Sequence, residues 1–349
     1  MRILSTVSRN YYGLPGAVEP MYLEFTDPLI DMGHEVETFD HHKARSEIGL
    51  TGCGEQFVER VRTGRYDVVF YQTGGGDAMA RDAIRDAARY APVVAWNSDD
   101  DWQWESYTRH LAPYFTSMVT TYPHIHRENR DRCPNLILSQ WGCYDRFADF
   151  DAVKDMDFSF VGLFYGERVQ LCRALRRGGG LEAFGPGAGM VNHRFLMRCR
   201  RARNVLRRVP ALYGRAVSFE AANAIWNRTK ISLCPMGGSA DPKRLQIKSR
   251  AFEMGLSGTL MICQHSPGLE DYYEPGKEFV PFFSVDDCID KVKHYLRHER
   301  DRLAVASAYR DRTRAEHLWQ HRFARIFEDI GLGPSAVPRA AGTRQGVRA

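Results

Sequence analysis

The fold of this chain is indicated most clearly by KSRAFEMGLSGTLMIC, residues 248–263, which continues into the loop QHSPGLED, residues 264–271. The pattern predicts a helix, a tight glycine turn and a buried strand, in that order. Open α/β sheets bind ligands in the loops just past the carboxyl ends of their strands. We therefore expect a ligand site at Ser266, Gly268 and Leu269, where backbone N–H groups after a glycine can hold a phosphate. The alternative is an ordinary turn between a strand and a helix.

Glu253 is the residue of this stretch with the clearest chemical role. Phe252, Met254 and Leu256 surround it in the sequence, which predicts an interior or cleft-facing carboxylate rather than a solvated one. A buried carboxylate needs hydrogen-bond donors, and a ribose diol offers two. We predict that Glu253 binds the hydroxyls of a ribose or sugar.

Strand-like and helix-like segments alternate along the whole chain. Apolar runs such as Val68-Val69-Phe70 do not alternate with polar residues, which is typical of parallel strands buried on both faces. We predict strands at residues 2–7, 34–39, 67–72, 92–97, 117–121, 135–139, 158–162, 181–184, 231–234, 259–263 and 279–282. We predict helices at residues 21–32, 55–63, 78–90, 167–177, 219–228, 245–255, 285–298 and 303–330. This alternation predicts an α/β protein with two Rossmann-like domains facing across a cleft.

The alternation restarts near residue 150, which sets the predicted domain boundaries. We expect an N-terminal Rossmann-like acceptor domain over 1–150 and a C-terminal donor domain over 151–315. A closing helix over 316–332 is expected to pack back toward the first domain. The remainder, 333–349, is rich in Pro, Gly, Ala and Arg and is expected to be disordered.

The composition excludes several classes of protein. The 349 residues are 44% hydrophobic and 26% charged, with a mild net charge of +5, which does not by itself argue for nucleic acid binding. The eight cysteines form no C-x-x-C pair, so neither a disulfide scaffold nor a zinc site is expected. No apolar run reaches the roughly 18 residues of a transmembrane helix, and the N-terminus resembles a strand more than a signal peptide. We expect a cytoplasmic protein.

Glycines and basic residues in the second half suit an anionic ligand. Gly162 lies between a predicted strand and helix and permits close approach of a ligand, and Arg168 follows on that helix. The spacing is not G-x-G-x-x-G, which disfavours a dinucleotide cofactor. Arg168 is suited to a diphosphate, with a surface salt bridge as the alternative. A later loop adds Lys243, Arg244 and Lys248, which predict positive charge near the phosphates, unless the loop is simply mobile and solvated.

A cluster of acids and tryptophans follows a predicted strand of the first domain. Trp96 and Trp102 are expected to stack on an acceptor, and Asp99 or Asp100 to act as a general base toward it. Asp99 and Asp101 also match an Asp-x-Asp pair that could hold a divalent ion. A third interpretation is that an acid of this cluster caps the next helix.

Two other segments have weaker interpretations. Tyr12 and Gly13 follow the first strand and are expected to shape the acceptor pocket. Residues 193–215 form a basic amphipathic pattern that predicts either a solvated helix face or contact with an anionic acceptor or membrane surface.

Residues 248–278 resemble the donor-binding half of group 1 glycosyltransferases, and most closely the CgeB-like (spore maturation protein) branch. Trp96 to Asp101 is similar to the Trp-x-x-Asp-Asp stretch of that branch. The resemblance implies the GT-B fold and a nucleotide-sugar donor held mostly by the second domain, and it matches Glu253 with the family's ribose-binding glutamate. Many relatives have a second glutamate eight positions earlier that touches the donor sugar, whereas this chain has Leu245, so the resemblance does not supply the sugar contacts.

The predicted activity is transfer of a sugar from a nucleotide-diphosphate sugar to an acceptor, a small molecule or glycan, at a hydroxyl or amine. Because GT-B enzymes generally need no metal, the resemblance implies catalysis without a metal or a cofactor. Two alternatives stay open. One is a metal-dependent sugar transferase that uses Asp99 and Asp101, and the other is a non-catalytic protein that binds nucleotides or glycans.

Overall fold

Two parallel β-sheets organise the chain in the computed structural model, which describes residues 1–10, 18–73, 79–192, 214–238 and 245–333. The sheets belong to two compact units. The first unit is Met1–Gln140 together with the C-terminal segment from Trp319, and the second is Trp141–Leu318. No helix in the described part of the chain combines the length and apolarity that crossing a membrane requires.

The first unit has a six-stranded sheet in the order β2-β1-β3-β4-β5-β6, in which all pairs are parallel. Its strands are β1 (Arg2–Ser5), β2 (Glu35–Thr38), β3 (Val68–Gln72), β4 (Val93–Asn97), β5 (Ser117–Thr120) and β6 (Leu136–Leu138). A π-helical turn, Tyr22–Thr26, precedes the first of its helices, which are α1 (Asp27–Asp31), α2 (His41–Gly64), α3 (Arg81–Ala87), α4 (Asp100–Gln103) and α5 (Pro123–Asn129). Every residue of β4 is buried, which explains its unbroken apolar sequence.

The second unit has a five-stranded sheet in the order β11-β10-β9-β7-β8, again with only parallel pairs. Its strands are β7 (Met156–Val161), β8 (Glu182–Phe184), β9 (Thr229–Cys234), β10 (Leu260–Gln264) and β11 (Val280–Phe282). The described helices of this unit are α6 (Gly166–Gly179), α7 (Gly189–Asn192), α8 (Phe219–Arg228), α9 (Arg250–Glu253), α10 (Val285–Arg297) and α11 (Glu299–Glu316). The loops after β7, β9 and β10 therefore open at the same edge of this sheet.

A final helix, α12 (Trp319–Asp329), completes the first unit. The rings of Trp319 and Phe323 lie 5.5 Å and 4.7 Å from that of Phe25, and Trp319 lies 5.3 Å from Trp96. These aromatic contacts attach the C-terminal helix to the sheet of the N-terminal segment.

The prediction of an α/β protein with two parallel, Rossmann-like sheets is confirmed, and all eleven predicted strands are present. The predicted helix over 245–255 is wrong in its first half. Leu245 instead forms an antiparallel bridge with Gly237, and the Gln246 N–H donates to the Met236 carbonyl over 3.0 Å. These bonds keep the segment extended, so only the four residues of α9 are helical. The predicted helix over 303–330 is two helices, which break at His317 and Leu318.

Candidate active site

The predicted residue Arg168 is in the first turn of α6, just after the loop that follows β7 at the carboxyl edge of the second sheet. Arg168 donates from Nη1 to the Leu163 carbonyl over 3.0 Å and from Nη2 to the Gly237 carbonyl over 3.2 Å. Its guanidinium also lies 4.2 Å from the centre of the Tyr165 ring. Arg168 thus spans the loops after β7 and β9, and the predicted surface salt bridge does not form among the described residues.

Arg250 is a site residue that the sequence reasoning missed. Its guanidinium lies 4.9 Å from the centre of the Phe160 ring, and that of Arg168 lies 5.7 Å from the same ring. Gly162 has φ of +150°, and a Cβ at that position would collide with the Arg250 guanidinium. The glycine therefore leaves the space that the Arg250 side chain fills.

The two guanidinium groups approach the same ring, and neither forms an ion pair among the described residues. Burial lowers the pKa of Arg168, and the nearby charge of Arg250 lowers it further. The Nε atom of Arg250 is buried and has no hydrogen-bond partner among the described residues. Two cations held together with unused donors suit an anion with more than one charged oxygen.

The thiol of Cys234, at the end of β9, lies among four charged side chains. Burial raises the pKa of this thiol to about 11, while Arg250, Arg168 and Lys248 lower it and Glu253 raises it. The predicted residues Arg168, Lys248 and Glu253 are thus brought together with Arg250 around one strand end. The predicted Lys243 and Arg244 lie outside the described residues.

Glu253 is the last residue of α9 and is partly buried. Burial raises the pKa of its carboxyl group, and the charge of Arg250 and the hydroxyl of Ser249 oppose that rise. A hydrogen bond of 2.6 Å from the Tyr309 hydroxyl to the Ala251 carbonyl anchors this short helix. A partly buried carboxylate is stabilised by a ligand that donates hydrogen bonds to it.

The loop after β10 supplies a buried hydroxyl, and one of its expected backbone donors is used within the loop. Ser266 is buried, and its Oγ has no hydrogen-bond partner in the described part of the chain. Gly268 has φ of +91°, as a glycine turn requires. The Leu269 N–H donates to the Ser266 carbonyl over 3.3 Å, and the Leu269 side chain is buried in the core. Ser266 is therefore better placed to bind a ligand than Leu269.

In the first unit, the two predicted acids differ in their surroundings. Asp99 is exposed just past the end of β4, whereas Asp100 is buried. Burial raises the pKa of Asp100 to about 6, and the hydroxyls of Thr120 and Thr108 oppose the rise. Asp100 is thus buried at the start of α4, whereas the exposed Asp99 is the more accessible candidate, and the role of either acid as a base stays a prediction. The described residues contain no group of three or more His, Cys, Asp or Glu side chains placed to hold one metal ion.

The two predicted tryptophans also differ. Trp96 is only 2% exposed, and it packs against Phe25 and Trp319. This position corrects the prediction that Trp96 stacks on an acceptor, because its ring belongs to the core of the first unit. Trp102 is 48% exposed and keeps a free face for that role. The predicted acceptor residues Tyr12 and Gly13 lie outside the described residues, as do residues 193–213 of the basic segment.

Part of the chain matches a known protein family. Residues 168–328, which include Arg168, Arg250, Glu253 and Ser266, match a family described as "Glycosyl transferase-like". None of the curated proteins is significantly similar to the chain.

Several solved structures share the fold over nearly the whole chain. A glycosyltransferase from Rickettsia africae superposes with a TM-score of 0.60 at 10% identity, covering 94% of this chain and 97% of that one. Sucrose-phosphate synthase from Thermosynechococcus elongatus superposes with a TM-score of 0.60 at 11% identity, covering 94% of this chain and 98% of that one. The structure of Anabaena HepE in complex with UDP and glucose superposes with a TM-score of 0.59 at 12% identity, covering 95% of this chain and 100% of that one. At these identities the likeness establishes the fold.

The fold is that of the GT-B glycosyltransferases. The match to the glycosyl transferase-like family covers a little under half of the chain.

Proposed function

We propose that the protein transfers a sugar from a nucleotide-diphosphate sugar to a hydroxyl or amine of an acceptor. The observation that carries this proposal is the pair of Arg168 and Arg250 beside Glu253 at one sheet edge. In the proposed complex, the guanidinium groups of Arg168 and Arg250 bind the diphosphate. The Glu253 carboxylate accepts hydrogen bonds from the ribose hydroxyls. The fold of HepE, whose structure contains UDP and glucose, supports the same class of donor.

The proposed reaction is a single displacement at the anomeric carbon of the donor sugar. The acceptor atom attacks the anomeric carbon, the bond from that carbon to the phosphate oxygen breaks, and the nucleoside diphosphate leaves with the electron pair. Arg168 and Arg250 stabilise the negative charge that develops on the leaving phosphate. Asp99 takes the proton of the acceptor. Because the two arginines supply the positive charge, we propose that no metal ion is required.

The first test measures release of nucleoside diphosphate from a panel of nucleotide sugars, with and without EDTA. We expect release from at least one donor, with less than about twofold change in EDTA, because no step needs a divalent ion. Loss of release in EDTA would favour the metal-dependent alternative that uses Asp99 and Asp101. Binding of a nucleoside diphosphate without release from any sugar would favour the non-catalytic alternative. Assignment to the CgeB-like branch and a cytoplasmic location remain parts of the proposal, supported by the sequence alone.

Replacement of Asp99 by Asn tests the acceptor side. We expect kcat for transfer to fall by about 10²- to 10⁴-fold, with donor affinity unchanged, because Asn cannot accept the proton. The matched control is Asp131→Asn, which removes a 94% exposed carboxylate from the same unit and should leave transfer unchanged. An equal loss in both variants, or no loss in Asp99→Asn, would remove Asp99 from the mechanism.

A further inference from the structure

Helix α9 carries both Arg250 and Glu253, yet it is too short to fix its own position. It consists of four residues, and a single helical turn is not stable by itself in water. In a continuing helix the Gly255 N–H would donate to the Ala251 carbonyl, but it donates to the Phe252 carbonyl over 2.9 Å. The Ala251 carbonyl is therefore open to a donor from another element of the second unit.

Tyr309, on helix α11, supplies this donor. Its hydroxyl donates to the Ala251 carbonyl over 2.6 Å, and its side chain is fully buried. The Tyr309 ring packs edge-on against that of Tyr273 at 5.0 Å, which fixes the direction of the hydroxyl. Burial raises the pKa of Tyr309 well above its ordinary value, so the hydroxyl keeps its proton. A buried hydrogen bond thus joins α11 to the middle of α9.

Two further contacts limit the movement of α9. A Cβ at Gly255 would collide with the Thr313 side chain, so the turn that ends α9 lies directly against α11. The Cys143 thiol donates to the Glu253 carbonyl over 3.5 Å. Of these contacts, the bond of Tyr309 meets the chain at the centre of the helix.

Ala251 lies between the two charged residues of α9, so a shift of its carbonyl moves both side chains together. We propose that Tyr309 is a positioning residue of the donor site, whose hydroxyl sets α9 so that the Arg250 guanidinium and the Glu253 carboxylate face the same ligand. Tyr309 acts through the backbone of α9 rather than on the ligand. A misplacement of about 1 Å by a distant substitution can cost about 10²-fold in rate. This proposal rests on the proposed function, which assigns the two charged side chains to the donor.

Tyr309→Phe tests the proposal, because it removes the hydroxyl and keeps the ring. We expect the affinity for the nucleoside diphosphate to fall by about 10-fold and the turnover of the sugar donor by about 10- to 100-fold. The ratio of the affinities for a ribonucleoside diphosphate and its 2′-deoxy counterpart should also fall, because Glu253 no longer faces the ribose hydroxyls. Calorimetry of the full chain with UDP, ADP, GDP and their 2′-deoxy counterparts measures the affinities, and diphosphate release measures the turnover.

Tyr273→Phe is the matched control. Tyr273 is likewise fully buried, and its hydroxyl donates to the Thr313 Oγ1 over 3.0 Å, so this substitution also removes one buried hydroxyl from the same cluster. We expect both variants to lower the melting temperature by about 2–4 °C, whereas only Tyr309→Phe should change the affinity ratio. Since a dissociation constant is a property of the folded fraction, a loss of stability in Tyr309→Phe does not obscure the ratio.

A second variant displaces α9 from its other end. Gly255→Ala leaves the Tyr309 hydroxyl in place, but the added Cβ collides with Thr313. If the position of α9 controls the donor site, Gly255→Ala should lower the diphosphate affinity and the affinity ratio in the same direction as Tyr309→Phe.

The outcomes separate this proposal from the proposed function. If Tyr309→Phe melts earlier but keeps the affinities and turnover of the wild type, or if Tyr273→Phe loses them equally, the Tyr309 hydroxyl supports only the fold and the proposal is wrong. If the wild type binds none of the diphosphates, the proposed function fails first, and the role of Tyr309 fails with it. Losses in Tyr309→Phe and Gly255→Ala, with Tyr273→Phe unchanged in binding, would support the positioning role.

Discussion

Arg250→Gln should lower the turnover of a nucleotide-sugar donor by about 10²- to 10³-fold, the usual effect of removing a donor that faces developing negative charge. The Nε of Arg250 is buried without a partner among the described residues, so a bound phosphate is the acceptor that would satisfy it. A buried donor without an acceptor is unfavourable, and the bound ligand would remove that cost. The loss should therefore appear in kcat as well as in the affinity for the diphosphate.

Arg250→Lys separates charge from geometry. Lysine keeps the positive charge but lacks the planar pair of donors, so we expect it to recover only part of the activity. Initial rates of diphosphate release and calorimetric affinities for the diphosphate would measure both quantities. Arg314→Gln is the matched control, because it removes an exposed arginine on α11. Full activity in Arg250→Gln would contradict the assignment of the guanidinium pair to the phosphates.

The sheets could be predicted from sequence because their strands are continuous apolar runs. Strands that are buried on both faces do not alternate apolar and polar residues, and this pattern is typical of a parallel sheet. Strand β4, for example, is buried along its whole length. Glu253 could be predicted for a related reason, since Phe252 and Met254 beside it are both fully buried. In these cases the local sequence reflects its burial directly.

The remaining features depend on contacts between distant segments. The segment from Leu245 has a helical pattern, yet its bonds to Gly237 and Met236 keep it extended. Trp96 and Trp102 look equivalent in the sequence, and only the packing of α12 against Trp96 makes one of them core. Arg250 has one local signal, because it precedes Glu253 by three residues and so shares its helix face. Its proximity to Arg168 and Gly162 could not be derived without the fold.

Glu253→Gln should weaken binding of the nucleoside diphosphate by about 10- to 100-fold without loss of stability. A carboxylate offers an acceptor to each hydroxyl of a ribose diol, whereas an amide offers one acceptor and one donor. The expected consequence is specific to the ribose: the wild type should prefer a ribonucleoside diphosphate over its 2′-deoxy counterpart, and the variant should lose that preference. Glu220→Gln, at an exposed position of α8, should keep it.

The pKa of Glu253 makes this substitution unusually informative. Burial raises that pKa, so the folded protein without ligand is destabilised by the charged form at pH values above the pKa. A neutral glutamine removes that penalty, and the melting temperature of Glu253→Gln should therefore equal or exceed that of the wild type. The affinity of the wild type should fall as the pH is lowered through the raised pKa, since protonation removes an acceptor, and this dependence should be absent in the variant. A variant that melts earlier, or that keeps its preference for ribose, would show that Glu253 supports the fold rather than the ligand.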